Sequence, residues 1–384
     1  MDSERHSATR FDGCRKATMN ITFVLDGGDS LSGGHRAIAM FAHGLKELGH
    51  TVVLIARPGR SPSLRDRARS LLKGSGGITQ PKQQPSHFRD MGLELRTLTR
   101  WRPIENRDLP DADIVVATWW ETVEWVHGLA PAKGVKVQLM QDYEVWGGPE
   151  RKVDLSCSLP MSRIVTAEWV GEVLRRKFHQ TPAALIPCGV DLEMFYAPPR
   201  GKQPVPRIGL TYTTMRNKGC DISLQAYSLA RRVIPELRLI SFGNMKVAPE
   251  LPLPEGASYY AYASNQVLRG LYSKCDAWLF GTRQEGFGLP ILEAMACRTP
   301  VIGTPTGAAP QLLRDGSGIL VNREDPEDMA EAIVRVCRLS DDDWRTMSTA
   351  AHVAASVHTW EKGARAFDSA LRTVVESNDR HVRL

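Results

Sequence analysis

Between Met19 and Ala56 the chain runs "MNITFVLDGG" and, a few residues later, "GGHRAIAMFAHGLKELGHTVVLIA". The first piece is a short apolar strand that ends in glycines. In the second, Ile38, Phe41, Leu45 and Leu48 recur at helical spacing and Gly49 stands where a helix stops, while "TVVLIA" has the length and apolarity of a buried strand. A strand, a loop, a helix and a strand within about thirty residues make the repeating unit of a parallel sheet. The pattern continues through "ADIVVATWW", "VKVQLMQDYE", "RIVTAEWVGEVLRRKF" and "AALIPCGV". Four prolines between Pro198 and Pro206 then favour an extended linker. Beyond it the alternation resumes with "RIGLTYT", "DISLQAYSLARRVI", "ELRLISFG", "SNQVLRGLYSKC", "AWLFGT", "PVIGT" and "GILV", and a long helix is expected from Pro326.

The 384 residues are about twice a typical domain. The expected architecture is therefore α/β, with two doubly wound Rossmann-like domains facing a cleft. Residues 1–18 read as a disordered leader and 19–192 as the first domain. Residues 193–206 read as a hinge and 207–355 as the second domain. Residues 356–384, with "WEKGARAFDSALRTVV", read as a helix returning to the first domain.

No apolar run approaches the roughly 18 residues needed to cross a bilayer, and the polar start "MDSERHSATRFDGCRKAT" has no signal-like apolar region. Seven scattered cysteines without a CxxC spacing argue against zinc and disulfides and suit a cytoplasmic protein. Residues 57–107 hold twelve Lys or Arg against four Asp or Glu. Such a segment attracts anions, which admits an acceptor or a peripheral membrane contact. It lacks the interleaved aromatics of a nucleic-acid reader. From Pro58 to Leu109 the Gly, Pro, Ser, Gln and Arg content predicts a long mobile loop.

The chemistry concentrates in "RQEGFGLPILEAMACRTPVIGTPTG", residues 283–307. Gly286 and Gly288 permit a tight turn, and Pro290 suits the start of a helix. A helix N-terminus presents unpaired amides and the positive end of a dipole, a ready anion site. Glu293 lies about one turn in and Glu285 on the loop before, so hydroxyls flanking a phosphate would meet both carboxylates.

"EGFGLPILEAMACRTPVIGT" resembles the E-x7-E signature of GT4-type retaining glycosyltransferases of the GT-B fold. "SGGHRAIAMFAHGLKELGHTVVLIA", "IPCGVDLEMF" and "GSGILVNREDPEDMAEAIVRV" resemble other segments of that family in the right order. The resemblance implies that Glu293 meets the nucleotide ribose and that Glu285 contacts the donor sugar and steadies developing charge. The turn of Gly286, Phe287, Gly288 and Leu289 would then meet the diphosphate.

In "TYTTMRNKGC", Lys218 matches a family lysine that clamps the diphosphate. The family arginine falls at Thr213, a departure for which Arg216 is the candidate substitute, and Gly34 at the start of the first helix is a further candidate anion contact. A His expected at the first domain's strand ends is absent. Trp119, Trp120, Gln141 and Asp142 stand there instead, assigned to the acceptor and sugar side. "QDYE" is similar to a subgroup that transfers 6-deoxysugars such as rhamnose, where a Trp would pack on a C6 methyl.

Read together, these motifs imply a metal- and cofactor-independent transferase. Its donor would be a UDP-, GDP- or dTDP-linked sugar and its acceptor a glycan, a lipid-linked molecule or a small molecule. The rival readings are a non-catalytic nucleotide-sugar binder and a GT-B epimerase.

Overall fold

The computed structural model describes residues 17–27, 32–59 and 86–382. Its first sheet is built from β1 (Asn20–Leu25), β2 (Thr51–Ala56), β3 (Glu94–Thr97), β4 (Ile114–Ala117), β5 (Val135–Met140), β6 (Ser162–Val165) and β7 (Ala184–Leu185). The order is β3-β2-β1-β4-β5-β6-β7, all parallel. The helices of this half are α1 (Gly33–Glu47), α2 (His87–Asp90), α3 (Trp120–His127), α4 (Glu150–Ser158) and α5 (Glu168–Phe178).

The second sheet comprises β8 (Arg207–Thr211), β9 (Arg238–Gly243), β10 (Ser258–Ala261), β11 (Ala277–Phe280), β12 (Val301–Gly303) and β13 (Gly318–Leu320). It is also parallel, in the order β10-β9-β8-β11-β12-β13. Its helices are α6 (Cys220–Val233), α7 (Asn265–Tyr272), α8 (Leu289–Ala296), α9 (Ala309–Leu312), α10 (Pro326–Arg338) and α11 (Asp341–Ser356), and α12 (Trp360–Val382) closes the chain.

The strand sequences explain the layering. Along β1, Ile21, Phe23 and Leu25 join one buried cluster while Val24 joins the cluster on the opposite face. Both faces are thus covered by helices or loops, which is why the strands read as continuous apolar runs. In each sheet the strand order reverses beside the first strand, between β1 and β4 and between β8 and β11. Such switch points open crevices at the carboxyl ends of the strands.

Two edge strands differ from expectation. The segment predicted as one long loop from Pro58 to Leu109 contains α2 and β3, and β10 also lacks a sequence signature. β3 reads ELRT and β10 SYYA, each largely exposed, so neither carries the apolar run of a central strand. Residues 60–85 of that segment lie outside the described residues. The helix expected from Pro326 divides into α10 and α11, because Leu339 is extended and the Ser340 hydroxyl accepts from the Asp343 amide to start a new helix.

The chain passes between the domains twice. The outward and returning strands pair where the Val190 amide donates to the His358 carbonyl at 2.9 Å. The later part of residues 193–206 is fastened to the second domain. Arg200 donates to the Cys275 carbonyl, Lys202 to the carbonyls of Cys337 and Leu339, and the Gln203 amide to Asp276. Helix α12 lies on α1, where Phe41 meets Trp360 and Phe367 edge-on at 5.4 and 5.3 Å. A Cβ on Gly44 would fall 2.4 Å from the Ala364 Cβ, so the two helices cross at glycine-to-alanine distance.

Gly44→Ala should therefore destabilise the protein by about 1–3 kcal/mol through overpacking. Gly270→Ala, on helix α7 with nothing within 4 Å, should be neutral or stabilising by about 0.5–1 kcal/mol. Urea midpoints followed by circular dichroism check the pair, and equal midpoints would refute the close crossing.

Candidate functional site

The turn after β11 is shaped by its glycines. Gly288 takes φ +97° as the cap before α8, and a Cβ there would come within 2.8 Å of the Phe280 ring. Helix α8 then starts with Leu289 and Pro290, leaving its first amides without intrahelical acceptors. The loop before α6 lies alongside. Gly219, at φ +58°, sits so close to the Gly281 carbonyl that a Cβ would be 1.7 Å away. The Arg283 and Gln284 amides donate to the Asn217 carbonyl at 2.9 and 3.1 Å. This knitting brings Lys218 Nζ to 2.8 Å from Glu285 Oε2, with both side chains still partly exposed.

The first domain presses on this turn through its "QDYE" strand end. A Cβ on Gly286 would meet the Gln141 carbonyl oxygen at 2.4 Å, so the two backbones touch. Trp169 Nε1 donates to the Gly286 carbonyl at 2.8 Å, and Gln284 Nε2 to the Tyr143 carbonyl at 3.2 Å. The four residues divide their work. Gln141 donates to the Gly34 carbonyl at 3.3 Å, and Asp142 accepts from Trp146 Nε1 at 2.9 Å. The Tyr143 hydroxyl donates to Asp154, and buried Glu144 accepts the Trp120 amide at 2.7 Å, anchoring the start of α3.

Glu293 is 5% exposed, and each of its oxygens is engaged. Oε1 pairs with Arg36 of the first domain, and Oε2 accepts from the Tyr272 hydroxyl at 2.8 Å. Burial, then the charge of Glu293, pushes Tyr272 well above its ordinary pKa, so it stays a donor.

Three carboxyls on the first-domain face are raised. Burial, reinforced by repulsion from Glu285, lifts Asp142 to about 6. Burial raises Glu144 well above the usual range. Burial, then a hydrogen bond with Glu121, lifts Asp26 to about 6 against the pull of Arg57.

Asp26 and Glu121 belong to an open cavity of about 330 Å³, lined also by Arg57, Trp101, Trp119 and Gly147. Arg57 is held between the rings of Trp101 and Trp125, at 4.4 and 4.8 Å, and is paired with Asp26 and, at 2.6 Å, with Glu121. Trp119 packs edge-on with Trp146 at 5.4 Å, linking the cavity to Asp142.

The structure gathers Glu285, Lys218, Glu293, Gly286, Gly288, Leu289, Gln141, Asp142 and Gly34 around one cleft. The start of α1 approaches α8, where a Cβ on Gly33 would lie 3.7 Å from Leu289 Cδ1. Phe287 is buried, its carbonyl accepting the Ala308 amide at 2.8 Å. Trp119 lines the cavity, whereas Trp120 is buried with its ring against Gly148. Thr213 accepts the Met215 amide at 3.2 Å, and the Arg216 side chain is exposed while its carbonyl holds Arg283 at 2.7 Å.

Sequence reasoning missed Arg36, Tyr272, Trp169 and the Asp26–Arg57–Glu121 cluster. Only the position of Arg36 in a helix that opens on glycines hinted at a role. The described cations of the basic segment are largely engaged internally, with Arg96, Arg102 and Arg107 on Glu94, Asp108 and Glu105.

Among the described residues no cluster of three His, Cys, Asp or Glu could hold a metal ion, and six cysteines are free and buried. No helix among them is long and apolar enough to cross a membrane.

Residues 206–338 match the family described as Glycosyl transferases group 1. The chain is 31% identical over 175 residues to a D-inositol 3-phosphate glycosyltransferase of Corynebacterium jeikeium, covering 41% of each. It is 34% identical over 104 residues to the O-antigen chain mannosyltransferase B of Escherichia coli, covering 27% of this chain and 26% of that protein. It thus spans less than half the length of either relative. Among solved structures, sucrose-phosphate synthase from Thermosynechococcus elongatus superposes with a TM-score of 0.69 at 16% identity, covering 93% of this chain and all of that one. The Anabaena protein HepE in complex with UDP-glucose gives 0.67 at 15%, covering 92% of this chain and all of that one. Two parallel doubly wound domains, superposing over nearly the whole chain on these structures, give the chain the GT-B fold, and its second half carries the match to the group 1 glycosyl transferases.

Proposed function

We propose that the protein is a retaining glycosyltransferase that needs no metal and moves a sugar from a nucleotide diphosphosugar to an acceptor hydroxyl. The observation that carries this reading is the Lys218–Glu285 pair beside the glycine-capped start of α8. Lys218 and the helix amides suit a departing diphosphate, and Glu285 suits the donor sugar and the positive charge that develops on it. The leaving phosphate, on the face that the acceptor attacks, takes the acceptor's proton. UDP, GDP and dTDP remain the candidate carriers, and the UDP-glucose complex of a fold neighbour supports the class. The Gln141 amide is turned to Gly34, so the strand end presents no imidazole to a C6 hydroxyl, which favours a 6-deoxysugar donor.

The acceptor enters through the cavity beside Trp119. Its Arg57 is already neutralised by Asp26 and Glu121, and its walls offer indole faces and carboxylates. That chemistry suits an uncharged, hydroxyl-bearing ring rather than the phosphate-bearing acceptor named for the inositol relatives. Asp142 stands between this cavity and Glu285, linked through Trp146 and Trp119, where it can orient the incoming hydroxyl.

Calorimetry with UDP, GDP, dTDP and ADP in EDTA tests the donor site. One nucleotide should bind the wild type, and Lys218→Ala should weaken it by about 10–100-fold, or about 1.4–2.8 kcal/mol. Binding that appears only when a divalent metal is added would defeat the metal-free reading.

A second outcome follows from Asp142. Its folded pKa is raised from 3.8 to about 6, so the native state takes up the proton before the unfolded chain does. Its contribution to stability is therefore favourable at low pH, declines as pH rises from about 4 to 6, and remains lost above. Asp142→Asn should be the more stable protein at pH 7.5, by on the order of 1–3 kcal/mol, with the advantage vanishing near pH 4 while transfer to acceptor falls. A lower melting temperature for the variant at pH 7.5 would contradict this.

A further inference from the structure

The diphosphate of a sugar nucleotide carries a negative charge on each phosphate, and few described cations stand where it would lie. Lys218 is one, held by Glu285. Thr213 is uncharged, and Arg216 extends into solvent. Arg283 is occupied, donating to both oxygens of Asp221 at 2.7 Å and pairing with Glu324. Among the described residues, a half-buried guanidinium in the cleft is that of Arg36, one turn into α1.

Arg36 is placed for more than a structural ion pair. Helix α1 begins against Leu289, the first residue of α8, so the two helix starts converge on one spot. Only Nη1 of Arg36 is engaged, on Glu293 Oε1, and its other nitrogens have no acceptor among the described residues. Its Cζ lies 5.4 Å from the centroid of the Phe195 ring, a contact that steadies the guanidinium and requires no particular carboxylate partner. Glu293 would not be stranded if Arg36 left, because Tyr272 holds its other oxygen at 2.8 Å.

We propose that Arg36 exchanges partners when the donor binds, leaving Glu293 to the ribose hydroxyls and turning to the diphosphate at the start of α8. It supplies from the first domain the guanidinium that Thr213 lacks in the second. This inference rests on the donor reading above. The exchange is physically balanced. Opening a buried ion pair is costly only where a charge is left without a partner, and here the diphosphate takes up Arg36 while Tyr272 and the ribose hydroxyls hold Glu293. A guanidinium fork meeting phosphate oxygens makes two parallel charge-assisted bonds where the present contact makes one. Glu293 exchanges a charged donor for hydroxyls and remains hydrogen-bonded. A nucleoside without phosphates would have to open the pair with nothing for Arg36 to gain. The site therefore discriminates against nucleosides and favours nucleoside diphosphates.

The test compares a nucleoside with its diphosphate by calorimetry in EDTA, using whichever of UDP, GDP, dTDP or ADP the wild type binds. In Arg36→Ala the diphosphate should bind at least tenfold more weakly while the nucleoside binds as well or better, so the ratio between the two collapses. Arg36→Lys, which keeps the charge without the fork, should fall between wild type and Ala. Circular dichroism establishes that each variant is folded. If Ala is not, Arg36→Gln, which can still donate to Glu293, should show the same selective loss of the diphosphate. Tightening of both ligands in the variants would make Arg36 a plug over Glu293 and overturn the proposal, as would unchanged binding of both. A wild type that binds no nucleotide would instead overturn the donor reading beneath it.

Discussion

The contact of Gly286 with the backbone of Gln141 constrains the whole cleft. No side chain fits there, since a Cβ would stand 2.4 Å from the Gln141 oxygen. From this touching point the neighbouring groups fall into place. Trp169 binds the Gly286 carbonyl, Gln284 reaches the Tyr143 carbonyl, Glu285 faces Asp142, and Arg36 meets Glu293. Each of these joins one domain to the other, so the arrangement exists only while the domains are closed. These joining contacts are polar, as is the Gln311–Glu168 bond at 2.8 Å farther along the cleft, and they lie beside an apolar cluster that draws on both domains.

The same face gathers carboxyl groups that burial disfavours in their charged form. Asp26, Asp142 and Glu144 are each pushed up by burial, and Glu293 is buried with its charge shared between an arginine and a tyrosine. Asp26 is partly compensated by Arg57, and Asp142 by its bond from Trp146. Glu144 has an evident structural task. Its acceptance of the Trp120 amide fixes the start of α3, and with it the position of Trp119 over the cavity. Loss of that one bond would be felt at the cavity although Glu144 does not line it.

The sequence exposed what depends on local pattern. Alternating apolar strands and amphipathic helices, divided by prolines, announce two parallel sheets, because a strand covered on both faces must be apolar throughout. The E-x7-E turn was readable for a similar reason: glycines, proline and carboxylates lie within one turn-and-helix segment. What stayed hidden depends on partners distant in sequence. Arg36 meets Glu293 across 257 positions, and Arg57 meets Glu121 across 64. Neither pair has a spacing that a linear pattern can reveal. β3 and β10 escaped notice because edge strands bury little and so lack an apolar signature. "QDYE" was visible as a polar strand end, but the different task of each of its four residues follows only from what the fold brings against them.

The segment between the domains is tethered at both ends. Prolines stiffen residues 198–206, and the side chains of Arg200 and Lys202 strap that stretch to the second domain through four carbonyl or hydroxyl acceptors. It is therefore built into the surface of that domain. At the other end, α12 is locked onto α1 by Phe41, Trp360, Phe367 and the Gly44–Ala364 crossing, and so moves with the first domain. Between these fixed ends lie the two passing strands, paired at Val190 and Thr359. A Cβ on Gly189 would meet the Trp360 amide nitrogen at 2.3 Å, so the strands pass as closely as backbone allows. Two short segments crossing side by side at one place resist twisting relative to each other but can flex together. Val190 and Thr359 therefore mark where the two passages of the chain between the domains touch, and the Gly286–Gln141 contact marks where the domains themselves touch across the cleft.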